Sequence, residues 1–445
     1  METEDNEPKE IPQEETHAVA EEEVVLPEKI FLNELQKLTY HQLVEECTRY
    51  RVRTMPDRTR HQIILDLLKM FASQQIPIFV DGILELQPNN SGMLRWPVYN
   101  FKPCAEDVQV SSGLVRNYDL RAGHRVYGEI RVGNHGERTL SLHSVLQVEG
   151  LPPEEVIDIK HFDKLTAIFP KERIVLDHPK AHSLTARAVD LIAPLGRGTR
   201  GLIIAPPRVG KTVLMKEIAR TIRLSDPTIR LILLLVDERP EEVTDFKRNI
   251  DAEIFSSTFD ENPTRHTQIA ELVSERAKRL VELKQNVVIL IDSITRLARG
   301  YNALQPGKGR IMSGGVDAKA LLKPKKFFGA ARNVEEGGSL TILGTTLVDT
   351  GSRMDDVIFE EFKGTGNMEI QLNREMAERR IFPAIHILNS GTRRDDLLYH
   401  KEEYERVQMI RKQLASLPAM EAMEVLLKNL RNTDSNAELL MTGLR

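Results

Sequence analysis

Residues Ala205-Pro206-Pro207-Arg208-Val209-Gly210-Lys211-Thr212 decide the fold of this chain. The run before them, Gly201-Leu202-Ile203-Ile204, is short and apolar, as a buried strand is. After them Leu214, Ile218 and Ile222 recur four apart, as on one face of a helix. Strand, tight loop and helix form the setting of a phosphate-binding loop. There, backbone N–H groups and the positive end of a helix dipole cradle an anion. In that setting Lys211 reaches the outer phosphates and the Thr212 hydroxyl holds Mg²⁺. Ala205 stands where such loops usually begin with glycine.

Two further apolar runs support this reading. Leu231-Ile232-Leu233-Leu234-Leu235-Val236 ends in Asp237-Glu238-Arg239-Pro240, and Val287-Val288-Ile289-Leu290-Ile291 ends in Asp292-Ser293-Ile294-Thr295-Arg296. Strands apolar at every position are buried on both faces, which predicts a parallel sheet covered by helices. Ligands of such sheets gather at the carboxyl ends of the strands, where both acidic clusters stand. Asp292 is then expected behind the metal, and Glu238 as the base that polarises an attacking water. The competing reading is that Asp237, Glu238 and Asp292 merely open loops and cap helices. An arginine is expected at the γ-phosphate, with Arg239, Arg379, Arg380, Arg393 and Arg394 as candidates. Ser390-Gly391-Thr392-Arg393-Arg394 reads as a loop able to reach a neighbouring subunit's nucleotide, or as plain solvated surface.

A length of 445 residues predicts two or three domains. No apolar run approaches the roughly 18 residues of a membrane span. The first residues lack a basic-then-apolar leader, and Cys47 and Cys104 are the two cysteines, so a reducing cytoplasm is expected and no zinc site is visible. Residues 1–28 hold eleven acids against Lys9, a local charge near −10 within a chain of net −5. That head reads as disordered and solvating, and the mildly basic remainder permits a nucleic-acid partner.

Character changes along the chain. Residues 29–76 carry helical spacing (Leu32, Leu35, Leu38, then Ile63, Ile64, Leu67, Leu68, Phe71) and predict a small helical unit. Residues 77–149 carry short strands, Ile83–Leu86, Val108–Val110, Val126–Ile130 and Leu140–Val148, punctuated by glycines. They predict a small OB-like, cold-shock-like β-barrel. Residues 150–185, with four prolines, read as a connector. The α/β core spans 186–415, and 416–445 forms a charged helical tail. Inside the core, Gly307 to Gly315 and Thr350-Gly351-Ser352-Arg353-Met354 follow strands. Both are glycine-bearing and cationic, suited to a phosphate backbone or simply to surface loops.

These motifs together resemble the bacterial transcription termination factor Rho family of hexameric RNA-dependent ATPases and helicases, over about residues 30–420. The resemblance rests on Gly201 to Pro207, Val236-Asp237-Glu238-Arg239-Pro240-Glu241-Glu242-Val243-Thr244 and Asp292-Ser293-Ile294-Thr295-Arg296-Leu297-Ala298-Arg299. Phe327 to Asn333, Glu360 to Asn367 and Ser390-Gly391-Thr392-Arg393 match as well. It implies a RecA-type ATPase core that binds ATP and Mg²⁺ through Arg208, Val209, Gly210, Lys211, Thr212 and Val213. Glu238 would then be the base, Arg239 a phosphate or water contact, and Asp292 the acid behind the metal. Phe382 would stack on adenine, Arg393 would be the arginine finger, and Arg380 would support the neighbour's γ-phosphate. RNA in the ring would meet Arg310, Ile311, Gly314, Gly315 and Arg353. The implied partners are nascent single-stranded RNA, five further copies of the chain, RNA polymerase and its elongation factors, with no membrane.

The chain departs from that family in the barrel. Asn89-Asn90-Ser91-Gly92-Met93-Leu94-Arg95 stands where family members carry D-G-F-G-F-L-R, and Gln109 where a tyrosine is expected. Arg95 is kept. Trp96, with Tyr99 and Phe101, is either a replacement stacking platform or packing beneath the inserted loop. The other readings are a ring ATPase of the rotary or export class and a non-catalytic RNA scaffold. The helical unit and the Gly307–Gly315 loop speak against the first, and intact Lys211, Glu238, Asp292 and Arg393 against the second.

Overall fold

The computed structural model describes residues 25–53, 55, 57–133, 140–306 and 311–444. Most of the acidic head and Gly307 to Arg310, including the RNA contact expected at Arg310, lie outside the described residues. The described chain falls into two compact units, up to Ile78 and from Phe79 onward. Among the described residues no helix is long and apolar enough to cross a membrane.

In the first unit, helices α1 (Tyr40–Arg49) and α2 (Arg60–Ser73) start alike. Thr39 and Thr59 each cap the first turn while Gln42 and Gln62 reach back, forming two capping boxes. Leu43, Cys47, Ile63, Ile64, Leu67, Leu68 and Phe71 are buried between them. The expected helical spacing therefore serves a real core.

The second unit begins with the barrel. Strands β1 (Ile78–Leu86), β2 (Gly92–Arg95), β3 (Val108–Val110), β4 (Arg125–Val132) and β5 (Leu140–Val148) pair in the order β1-β2-β3-β5-β4, and β4 closes on β1. Closure removes the sheet edges. Across the strands Glu85 faces Met93, and Met93 faces Gln109.

The core is a mostly parallel sheet. Its main path runs β8 (Glu253–Thr258), β7 (Arg230–Glu238), β9 (Asn286–Asp292), β10 (Ser339–Leu347), β6 (Arg200–Ala205), β11 (Met368–Gln371) and β12 (Gly391–Thr392). All these neighbours are parallel except β11 and β12. The residues predicted as buried strands are buried along both faces, between two hydrophobic clusters. In register, Leu235 lies beside Asp292 and Ala205 beside Leu347, so the phosphate-loop strand and both acidic strands end at one edge. The C-terminal helices Ala419–Arg431 and Asn436–Thr442 are part of this core rather than a loose tail. Leu426, Leu427, Leu430 and Leu439 belong to the same cluster as Ile203 and Leu233.

Barrel and core are joined through the inserted loop and through helix α5 (Pro263–Glu282). The Asn100 side chain brackets Ser256, accepting from its backbone N–H at 2.8 Å, and Phe101 stacks on Phe255 with ring centres 4.6 Å apart. Arg265 donates to the Asn100 and Phe101 carbonyls. At the far end of α5, Gly123 (φ +85°) lies so close that an added Cβ would stand 2.4 Å from Arg276 N. Glycine is required there by both conformation and space.

This docking corrects the expectation of a stacking platform at Trp96. Trp96 and Phe101 are both 0% exposed, so neither ring offers a face to a base. Arg95 is 7% exposed and ion-paired to Glu85 and Asp107, and so is committed within the protein.

Candidate active site

Helix α3 (Leu184–Ile192) leads into the core, and helix α4 (Lys211–Ser225) opens directly from Gly210 (φ +86°). Its first-turn N–H groups therefore face the end of β6, where an anion is stabilised by the dipole. Arg208 sits in the loop at φ +67° with its side chain exposed, Val209 is buried beneath, and Val213 is 60% exposed. The Phe382 ring lies beside the loop: a Cβ on Gly210 would stand 3.4 Å from two of its atoms. Phe382 is 42% exposed.

Lys211 Nζ reaches Asp292 Oδ1 at 2.5 Å, and Thr345 Oγ1 donates to the same oxygen at 2.8 Å. Thr212 Oγ1 donates to Glu242 at 3.4 Å. Glu238 ends β7 after a bulge at Asp237 (φ +56°), which turns its carboxylate inward to 2% exposure. Burial, then the charge of Asp292, pushes the Glu238 carboxyl above its ordinary range, with Arg296 opposing from 3.7 Å. Glu238 Oε2 and Asp292 Oδ2 are buried with no hydrogen-bond partner. Two such oxygens near a lysine and a hydroxyl suit a hydrated cation and a polarised water.

Arg239, Arg380 and Arg393 are exposed. Arg393 is held by its backbone, which donates to Asn367 O at 2.7 Å at the β12 edge of the sheet. No described hydrogen bond or ion pair joins Arg380 or Arg393 to Lys211, Glu238 or Asp292. The structure thus brings Lys211, Thr212, Glu238, Asp292 and Phe382 to one edge, while Arg380 and Arg393 are exposed and make no described bond to those acids or to Lys211.

Among the loop residues, Ile311 is 64% exposed and Arg353 is exposed at the start of its helix. Gly314 (φ +72°) nests on that helix, where a Cβ would fall 2.6 Å from Arg353 O. The two cationic loops are therefore in backbone contact. Sequence reasoning assigned no role to Thr345, Arg296, Arg299 or Asn302. The three-residue spacing of the last three was the available signal.

The comparisons agree with this geometry. Residues 185–392 match the model of the ATP synthase alpha/beta family nucleotide-binding domain, and residues 80–154 that of the Rho termination factor RNA-binding domain. The chain is 51% identical over 431 residues to transcription termination factor Rho of Akkermansia muciniphila, covering 96% of this chain and 91% of that one. It is 48% identical over 410 residues to the Bacillus subtilis factor, covering 92% and 95%. Among solved structures, an ATPase from the type III secretion system of pathogenic bacteria superposes with a TM-score of 0.51 at 22% identity. It covers 61% of this chain and 81% of that one, a likeness of fold. With a phosphate loop backed by Lys211, Glu238 and Asp292 behind an RNA-binding barrel, the chain belongs to the transcription termination factor Rho family.

Proposed function

We propose that this chain is an RNA-dependent ATPase that terminates transcription by moving along nascent RNA as a ring of six copies and releasing it from RNA polymerase. The observation that carries the reading is the shared edge at which Lys211, Glu238 and Asp292 meet, in a chain whose residues 80–154 match an RNA-binding domain. ATP phosphates lie on the Gly210–Thr212 turn, with adenine on Phe382. Lys211 neutralises the outer phosphates, and Glu238 takes the proton of the attacking water. A raised carboxyl pKa favours that transfer, since a base works best when its pKa approaches the working pH. Thr212, with Asp292 behind it, would hold Mg²⁺, which would supply charge neutralisation at the phosphates. Arg393, exposed next to β12, and Arg380, exposed after the helix Arg374–Glu378, complete the neighbour's site rather than their own. Arg208 and Arg239 add charge at the rim.

RNA inside the ring meets Ile311, Gly314, Gly315 and Arg353, together with Arg310. The barrel supplies a first contact that is weak in stacking, because Met93 and Gln109 stand opposed there and neither is a ring.

Steady-state ATP hydrolysis without RNA, with poly(C), with poly(U) and with mixed-sequence RNA tests the proposal. Stimulation by RNA that is lost in Lys211→Ala is expected. Turnover indifferent to every RNA would overturn it in favour of a ring ATPase acting on another substrate.

A further inference from the structure

We propose that Thr345 is a positioning residue of the nucleotide site: its hydroxyl fixes the Asp292 carboxylate so that one oxygen is left for a hydrated cation. The inference rests on the ATPase reading and adds a part to the site that the reading describes.

Asp292 ends β9 fully buried, and its two carboxylate oxygens are unlike. Oδ1 accepts from Lys211 Nζ at 2.5 Å and from Thr345 Oγ1 at 2.8 Å, while Oδ2 is buried with no hydrogen-bond partner. A bare buried acceptor is costly, so an orphan beside a phosphate loop marks a place that a ligand fills. Glu238 Oε2 is a second such orphan. Where Asp292 Oδ2 points is decided by whatever holds Oδ1.

Two donors hold it, and they differ in kind. Lys211 is an ammonium on a flexible four-carbon stem, and the phosphates call on the same group. Thr345 is β-branched, fully buried and set within a strand, so its hydroxyl is confined. An ionised carboxylate can only accept, which makes Thr345 the donor. The Ile291 carbonyl also lies within reach, but at 3.5 Å, and the shorter bond takes the single proton.

The strand places that hydroxyl. β10 runs between the acidic strand and the phosphate-loop strand, with Gly344 beside Ile291 and Thr345 beside Ile203. Gly344 leaves room for Ile294, which opens helix α6 (Ile294–Ala303): an added Cβ would stand 2.1 Å from Ile294 Cδ1. Two residues past Thr345, Leu347 N donates to Thr295 Oγ1 at 2.9 Å and ties the strand end to the same helix. Successive side chains of a strand face opposite sides, so Thr346 turns away from Asp292. Its hydroxyl is equally buried and has no hydrogen-bond partner. Two adjacent buried threonines thus differ in whether they hold the acid.

The test compares full-length wild type with Thr345→Val, Thr345→Ser and Thr346→Val. A fluorescent ADP is titrated in chelator and again against rising Mg²⁺. ATP turnover with saturating poly(U) is followed over the same Mg²⁺ range, and melting temperatures without ligand check the fold. Removing a donor behind a metal-facing carboxylate weakens metal binding about 10–100-fold, so Thr345→Val is expected to raise the half-saturating Mg²⁺ about tenfold or more. Thr345→Ala also lacks the donor and carries the same expectation. Thr345→Ser keeps the donor and is expected to recover most of the wild-type response, while Thr346→Val stays within about twofold of it. Binding of the fluorescent ADP in chelator is expected to stay within about twofold in every variant. A wild-type Mg²⁺ requirement in Thr345→Val would overturn the inference. So would an equal rise in Thr346→Val, or turnover lost at an unchanged requirement, which marks a merely structural role. A wild-type protein that hydrolyses no ATP, with or without RNA, would instead sink the functional reading, and the inference with it.

Discussion

Arg121 meets Glu282 through two hydrogen bonds of 2.8 Å each, a paired contact between the barrel and the last turn of α5. The same carboxylate accepts from Arg279 at 2.7 Å and from the Phe162 backbone N–H at 2.6 Å. One nearly buried acid thus gathers the barrel, the connector and the core. Taking it away leaves two guanidinium groups in a dry interface, where an uncompensated charge costs about 3–5 kcal/mol. Glu282→Leu is expected to lower the melting temperature and to expose the 150–165 connector to protease. An unchanged melting temperature would show that water already screens the contact.

A second group in this interface responds to acid. His124 is 1% exposed and lies among Arg121, Arg276 and Arg279. Burial, then the neighbouring guanidinium charges, pulls its pKa from 6.5 down to about 2. The unfolded chain therefore binds a proton below pH 6.5 that the folded chain refuses. The stability contributed by neutral His124 is complete above that pH and falls as pH drops toward the folded value, by about 1.4 kcal/mol per unit. The His124 ring accepts from Arg121 N at 3.1 Å, and the amide oxygen of an asparagine in its place could accept the same bond. His124→Asn is thus expected to flatten the decline of thermal stability between pH 6.5 and 4. Parallel declines in the two proteins would refute this.

The arginine supplied between subunits has its own test. Arg393 is exposed next to β12, the edge strand beyond β11, and makes no described bond to Lys211 or Glu238, which fits delivery to a neighbour. Lys211→Ala and Arg393→Ala are each expected to abolish turnover alone. When they are mixed and reassembled, some interfaces pair an intact phosphate loop with an intact arginine, and activity should return. Mixtures as inactive as either parent would place Arg393 in its own subunit's site.

The core was readable because its strands are apolar at every position and end in acids, a pattern that few other arrangements produce. Lys211, Glu238 and Asp292 could be placed from that pattern alone. Trp96 could not. A tryptophan beside a hairpin reads alike whether it faces water or protein, and here the answer depends on the loop's docking onto Phe255 and Ser256, more than 150 residues away. Arg299 and Asp355 are likewise separated by 56 positions, so their pairing exists only once α6 lies against its neighbour. The C-terminal segment reads as a charged tail when only its scattered acids and bases, such as Glu421, Glu424, Lys428 and Arg431, are weighed. Their leucines nevertheless recur at helical spacing, and it is these that the core buries.

The barrel's outer row makes the last prediction. Met93 and Gln109 are directly opposed across β2 and β3, with Glu85 on Met93's other side. Opposed side chains stand about 4.5–5.5 Å apart at Cβ, so rings at 93 and 109 would lie side by side and form one stacking surface for bases. Stacking is worth about 1–3 kcal/mol per base. Met93→Phe combined with Gln109→Tyr is therefore expected to tighten nucleotide-free binding of short oligo(C) by tenfold or more. Trp96→Phe, altering a ring that is already enclosed, should leave that affinity within about twofold. If the double variant gains nothing, RNA enters the barrel by another face. If Trp96→Phe loses binding while the fold is kept, the loop opens on RNA and the tryptophan is a contact after all.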